Sequence, residues 1–258
     1  MVHFKYLLVL LTMLVCNAQA ETINFYAAAG VKAPAEEIIA AFERATGHTV
    51  VRLYDTAGAA EEKFVAAGKN GILITTEVRI NKSSKAPATD AGALQAGNIL
   101  VVGDTLAGAA MSASFALANP NISIDTSDKL KLALIAAKRI AFSDPARGAT
   151  VGVHFMNVID KLGMRDEVLA KSTKAKDGIE TMRLVAVGEA DVGITQVSEI
   201  VQSQPKLLLG AFPKEFELAT RYSSWVASAS SDATKSLANA FGSEAGRSSL
   251  AKNGLRVP

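Results

Sequence analysis

The sequence predicts an α/β protein of two lobes, each a mixed, mainly parallel sheet covered by helices, the two joined by a pair of crossing strands. Three observations carry that expectation. Short apolar runs alternate with longer segments of helical periodicity. The strand-to-helix connections are short and rich in small or polar residues, the pattern of a helix-covered parallel sheet. Two longer stretches, Gly108–Phe115 and Tyr222–Ala229, suit strands that pass from one lobe to the other.

The elements follow in order from residue 21. Ile23–Tyr26 reads as a strand and runs into the small-residue turn Ala27-Ala28-Ala29-Gly30. In the helix after it, Pro34 suits the first turn, and Ala35, Ile38, Ile39, Phe42 and Ala45 share one face. Thr46-Gly47 ends that helix. Thr49–Tyr54 is a strand, Asp55-Thr56-Ala57-Gly58 a turn, Ala59–Ala67 a helix and Ile72–Thr75 a third strand. Lys82–Asp90, rich in Ser, Lys and Pro, is the least regular part of the first half. A helix over Asp128–Lys138 takes its cap from Thr126 or Ser127.

The second half repeats the theme. Ile140–Phe142 is a strand and Ser143–Thr150 a turn; Val151, Phe155, Val158, Ile159 and Leu162 then align on one helix face that ends at Gly163. A helix over Asp177–Val187 turns through Gly188–Asp191 into the strand Val192–Thr195. Leu207–Ala211 is another strand, and helices near Asp232–Phe241 and Glu244–Lys252 close the chain. The expected division is residues 21–106 plus 228–258 for the first lobe and 107–227 for the second, a size that suits two lobes of roughly 120 residues.

Residues 1–20 read as a cleavable leader. His3 and Lys5 precede an apolar run from Tyr6 to Val15, and Ala18-Gln19-Ala20 is a small-x-small site, placing cleavage between Ala20 and Glu21. The run is too short for a membrane span of about 20 apolar residues. Cys16, the only cysteine, lies inside the leader, so the mature chain has no disulfide, thiolate metal site or cysteine nucleophile. Without Lys5, 26 Lys and Arg face 25 Asp and Glu, a net charge of +1 with no basic patch, which excludes the electrostatic footprint of a nucleic-acid binder.

Three turns share one form, strand then small or polar residues then helix start: Ala27–Lys32, Thr56–Ala59 and Ser143–Thr150. In open α/β sheets such turns lie where ligands bind. Each helix start offers unpaired N–H groups and partial positive charge, an anion site in waiting. Small residues such as Gly30 and Gly58 let a ligand approach the backbone, and Lys32 and Arg147 supply one cation per half. No nucleophile elbow, zinc helix or phosphate loop is present, and neither cofactor nor metal is expected.

Tyr26-Ala27-Ala28-Ala29-Gly30, Phe142-Ser143-Asp144-Pro145 with Gly148, and Gly188-Glu189-Ala190-Asp191-Val192-Gly193-Ile194, in this order of elements, resemble the periplasmic molybdate-binding proteins and their relatives among type II solute-binding proteins. The resemblance covers the whole mature chain. It implies the two-lobed type II fold, a monomer in the periplasm, and capture of a small organic or inorganic anion for the permease of an ABC-type transporter. It implies Lys32, Thr56, Ser143, Arg147 and Gln196 near the ligand; Gly30, Gly58 and Ser198 complete the candidate ligand set. Gly30 stands where molybdate binders usually have serine, Thr56-Ala57-Gly58 replaces a run of hydroxyls, and no tyrosine lies near Gln196. Gly30-Val31-Lys32 and Gln196-Val197-Ser198-Glu199 are closer to an organic-anion subgroup, one kind of which is a periplasmic aconitate isomerase. The alternative is therefore an enzyme of that type, moving a double bond in a tricarboxylic acid. His154, Lys32 and Glu199 are its candidate bases, although Phe115 and Ala116 stand where a basic residue is usual.

Overall fold

The structure is a computed structural model and describes residues 20–258. All but the last residue of the predicted leader, Cys16 included, lie outside the described residues.

The first half runs β1 (Thr22–Ala28), a 3₁₀ turn (Ala29–Val31), α1 (Lys32–Thr46), β2 (Thr49–Asp55), α2 (Ala57–Ala66), β3 (Ile72–Thr76) and α3 (Glu77–Ser84). The long β4 (Gly97–Met111) follows, then α4 (Ala113–Ala118) and α5 (Ser127–Ala136). The second half continues with β5 (Ile140–Ser143), α6 (Thr150–Lys161), α7 (Arg165–Ala170), β6 (Ser172–Ala175), α8 (Gly178–Ala186), β7 (Val192–Gln196), α9 (Val197–Ser203) and β8 (Leu208–Ala211). β9 (Ala219–Ala227), α10 (Asp232–Ala240) and α11 (Glu244–Lys252) complete the chain.

The strands order as β2-β1-β3-β9-β4-β7-β5-β6, with β8 also on β4. β1 pairs in parallel with β2 and β3, and β5 in parallel with β6 and β7; every pairing that involves β4 or β9 is antiparallel. β4 joins the two lobes of this α/β fold. Its residues as far as Leu106 pair with β9, and from Ala107 onward it pairs with β7.

Both faces of each half are covered, which is why the strands read as continuous apolar runs rather than alternating ones. In the first, Phe25 on β1 stacks on Phe241 at 5.8 Å, one point in the core that β1 shares with α1, α10 and α11. Phe64, Leu73, Ile80 and Trp225 fill the opposite face. In the second, Phe142 on β5 meets Phe155 on α6 edge to face at 5.2 Å, and Val185 and Ile200 pack on the other side.

The structure departs from the sequence expectations in four places. The crossing strand expected over Gly108–Phe115 begins at Gly97 and ends at Met111, while Phe115 sits in α4, where the Ser112 hydroxyl accepts its N–H. The strand expected over Tyr222–Ala229 as a second crossing runs from Ala219 to Ala227 and pairs with β3 and with β4 as far as Leu106. Helices α3, α4, α7 and α9 and strand β6 were not expected; Glu77–Ser84 and Ser172–Ala175 lack apolar periodicity. Glu61 reads from the sequence as a solvated residue, but it is buried and bonded to Arg79 at 2.8 Å and Ser83 at 2.6 Å.

Candidate functional site

The parallel strands of both halves point their carboxyl ends at one place. β1 ends there at Ala28, β2 at Asp55, β5 at Ser143 and β7 at Gln196, and a cavity of ≈ 310 Å³, counting the space open to its mouth, lies between them. Ala29, Gly30, Thr56 and Tyr222 wall it from one side; Ser143, Thr150, Gly178, Thr195, Gln196 and Glu199 wall it from the other.

Helix starts form much of the lining. Of the eight described helices with eight or more residues, six have an N-cap side chain that accepts an amide of the first turn: Thr56, Thr76, Thr126, Asp177, Ser231 and Ser243. The other two, α1 and α6, have Val31 and Ala149 at that position and no such bond. α6 begins at the cavity, with Ala149, Thr150 and Val151 in its lining; α1 begins in a neighbouring cleft, where the Lys32 amide donates to the Ala29 carbonyl, the Ala33 amide to Gln202, and Pro34 has no N–H. At α6 the amides of Thr150, Val151 and Gly152 have no intrahelical acceptor, so their partial positive charge is directed at whatever lies before them.

The predicted site residues separate into groups. Gly30, Thr56, Ser143 and Gln196 line the cavity. Gly30 has no space for a side chain, because a Cβ there would overlap the Tyr222 hydroxyl. Thr56 uses its hydroxyl twice, accepting from the Ala59 amide at 3.2 Å and donating to the Arg147 carbonyl across the cleft. The Ser143 hydroxyl lies 3.4 Å from that of Thr181, and the Gln196 amide nitrogen donates to Thr220 at 2.9 Å.

Gly58 and Arg147 belong to the contact between the halves. The Gly58 amide donates to the Gly148 carbonyl at 3.3 Å. Arg147 donates to both oxygens of Asp55, at 3.0 and 3.1 Å, and to the Lys176 carbonyl at 3.0 Å. Burial alone would raise the fully buried Asp55, but Lys63, the Thr56 amide and Arg147 together hold it below the usual carboxylate range.

Lys32 lines a neighbouring cleft with Glu36 and Gln202, its ammonium 5.8 Å from the centre of the Tyr54 ring. Gln202 reaches across to the start of α1, donating to the Gly30 carbonyl at 2.8 Å and accepting from the Ala33 amide at 3.0 Å. Ser198 is buried behind the wall, its amide on the Thr105 hydroxyl at 3.0 Å. His154 is away from the cavity, its Nε2 2.7 Å from the Phe216 carbonyl and its ring beside Phe212.

Glu199 does line the cavity. Burial pushes its carboxyl up to about 7, against hydrogen bonds from the Thr195 hydroxyl and Gln196 amide and with the charge of Asp177 adding to the rise. Three further wall residues, Asp55, Thr195 and Tyr222, were not predicted as site residues. Burial, with the Glu199 charge adding to it, raises the Tyr222 phenol well above its ordinary value. For the two uncapped helix starts a sequence signal did exist: an apolar residue at the N-cap of a strongly amphipathic helix.

Residues 23–256 match the sequence profile of the bacterial extracellular solute-binding proteins. The chain belongs to that family. Within it, the chain is similar to the molybdate-binding protein ModA of Azotobacter vinelandii, with 26% identity over 190 residues, 73% of this chain and 69% of that one. The solved structure of the A. vinelandii periplasmic molybdate-binding protein superposes with a TM-score of 0.69 at 15% identity, covering 92% of this chain and 99% of that one. PEB3, solved with L-phospholactate bound and also known from Campylobacter jejuni, gives 0.65 at 16% identity, covering 92% and 100%. At such identities the structures establish the two-lobed type II fold. The family description assigns the chain solute binding.

Proposed function

We propose that the mature chain captures a small anion in the cavity between its lobes and delivers it to the permease of an ABC-type transporter. The observation that carries this reading is the uncapped start of α6. It faces the cavity with the Thr150, Val151 and Gly152 amides lacking intrahelical acceptors, while six other long helices cap their first turns with a side chain. The cluster of Asp55 with Lys63 and Arg147 adds a net positive charge at the same place. Similar proteins agree with an anion: molybdate for one, L-phospholactate for another.

In this reading Gly30, Thr56, Ser143 and Gln196 contact the solute. Gly58 and Arg147 hold the lobes together over it, and Lys32 and Ser198 support the wall. The expected lobes are residues 21–106 with 228–258, and 107–227; because β9 pairs with β3 and β4 and its Tyr222 and Trp225 sit in the first half's cores, residues 219–227 go with the first lobe, the two lobes moving about the β4 junction. The protein acts as a monomer in the periplasm, released from its leader after Ala20. The isomerase alternative draws less support, because of His154, Lys32 and Glu199 only Glu199 reaches the cavity.

A thermal-shift screen of residues 21–258 tests the reading. An anion at 100 times its dissociation constant adds about 2.7 kcal/mol of stability. Stabilisation by sugars or polyamines and by no oxyanion or carboxylate would overturn it. Incubation with cis- and trans-aconitate in deuterated water, followed by NMR, separates capture from isomerisation; capture returns the acid unchanged.

A further inference from the structure

Glu199 sits uneasily in a cavity built for negative charge. As the third residue of α9 it accepts the Gln196 amide at 3.1 Å, half of the reciprocal arrangement that caps many helices. A capping glutamate is ordinarily solvated and ionised. This one is buried, with Oε2 occupied by the Thr195 hydroxyl and the Gln196 amide, while Oε1 bonds no group among the described residues; Glu199 lines both the cavity and the adjoining cleft. The carboxyl lies flat against Gly178, the first residue of α8, where any Cβ would overlap both oxygens.

No cation among the described residues pairs with it. α8 faces it with Asp177, already occupied by the Glu180 amide at 2.8 Å, and β9 with the buried Tyr222. Strand β7 offers Thr195 and the turn before α1 offers Ala29, both uncharged. Lys32 and Glu36 of α1 stand in the adjoining cleft, with Lys32 over the Tyr54 ring. Asp55 lies on the far wall, matched by Lys63 and Arg147. An anion drawn in by the start of α6 therefore meets, on one side, a carboxyl with one unbonded oxygen. The two coexist if a proton lies between them, carried by the solute or by Glu199.

We propose that Glu199 sets the solute class: the cavity selects an anion that also carries a hydrogen-bond donor, a hydroxyl or a retained acid proton, and takes a donor-less anion only together with a proton on Glu199. This rests on the anion reading above.

The test measures binding of two matched pairs to the mature protein by isothermal titration calorimetry at pH 6.5 and 8.5: phosphate against sulfate, and glycolate against acetate. At pH 8.5 the donor-bearing member of any pair that binds wins by at least tenfold. The donor-less member weakens at least tenfold between the two pH values, and Glu199→Gln, which can still cap α9, abolishes both effects. Proton uptake by the wild-type protein, read from titrations of the donor-less anion in buffers of different ionisation enthalpy at pH 8.5, approaches one per anion and needs no variant. Equal affinity within a pair, a flat pH profile, absence of proton uptake, or unchanged selectivity in Glu199→Gln overturns the proposal and leaves the anion site standing. Failure of all four anions to bind at either pH takes down the anion reading and this one with it.

Discussion

Replacing Glu199 with Gln has a stability consequence whose sign and size follow from the site. The folded carboxyl is pushed from 4.5 up to about 7, so between those values the folded state holds a proton that the unfolded state has released. A raised value means the associated stability is complete below pH 4.5 and is lost as pH rises through about 7. At about 1.4 kcal/mol per pH unit, the loss amounts to about 3 kcal/mol. Gln at this position keeps an oxygen for the Thr195 hydroxyl and the Gln196 amide, and it cannot ionise. Wild type and Glu199→Gln are therefore expected to match within about 1 kcal/mol at pH 5, where the wild-type carboxyl is neutral. At pH 8 the variant is more stable by about 3 kcal/mol, a rise in Tm of about 6–12 °C for a chain of this size. Urea denaturation of the solute-free protein at pH 5, 6, 7 and 8, followed by far-ultraviolet circular dichroism, measures the difference. Groups held below the usual carboxylate range, such as Asp55 and Asp191, behave alike in both proteins and cancel. A difference that does not change with pH would refute the assigned burial of this carboxyl.

Three other outcomes are expected. Gly58→Ala places a Cβ 2.8 Å from the Gly148 Cα across the cleft and 2.5 Å from the Arg79 guanidinium of its own half, so it wedges the lobes apart and displaces Arg79; solute affinity falls at least tenfold while thermal stability without solute changes by less than about 1 kcal/mol, because the Arg79 side chain can move aside. Arg147→Ala leaves buried Asp55 with Lys63 alone, which costs about 1–3 kcal/mol of stability in the closed state and weakens solute binding correspondingly in calorimetry; unchanged affinity would make the Asp55 contact incidental. Phe142→Ala, at a fully buried ring packed on Phe155, lowers unfolding stability by about 3–5 kcal/mol whether or not solute is present.

The strand–turn–helix units were legible because their signals are local. Gly47, Gly148 and Gly163 sit in left-handed turns where their sequence neighbours place them, and the turns at 27–32, 56–59 and 143–150 deliver three walls of the cavity. What could not be read depends on partners far along the chain. Asp55 looks like an ordinary turn residue until Arg147, 92 positions away, closes on it. Tyr222 reads as one position of an apolar strand, and only the insertion of β9 between β3 and β4 brings its ring under Gly30. Glu199 was chosen as a candidate base from its residue type; its burial arises from α8 and β9 folding over it. β6 was missed because an edge strand with Thr173 and Lys174 exposed carries almost no apolar signal.

The position of β9 also dictates an order of events during synthesis. β3 and β4 are not neighbours in the sheet, because residues 219–227 lie between them. Phe241, Leu250 and Leu255 belong to the same core as Phe25 and Ile39. A ribosome that has released the first hundred residues has thus released strands without their central partner and helices without half their packing. That unit cannot close until nearly the entire polypeptide has emerged, and contacts spanning some two hundred positions form slowly. For a chain proposed to be threaded across a membrane before it folds, such a delay is useful. On that proposal the segment would stay extended until the last thirty residues arrive to complete its core.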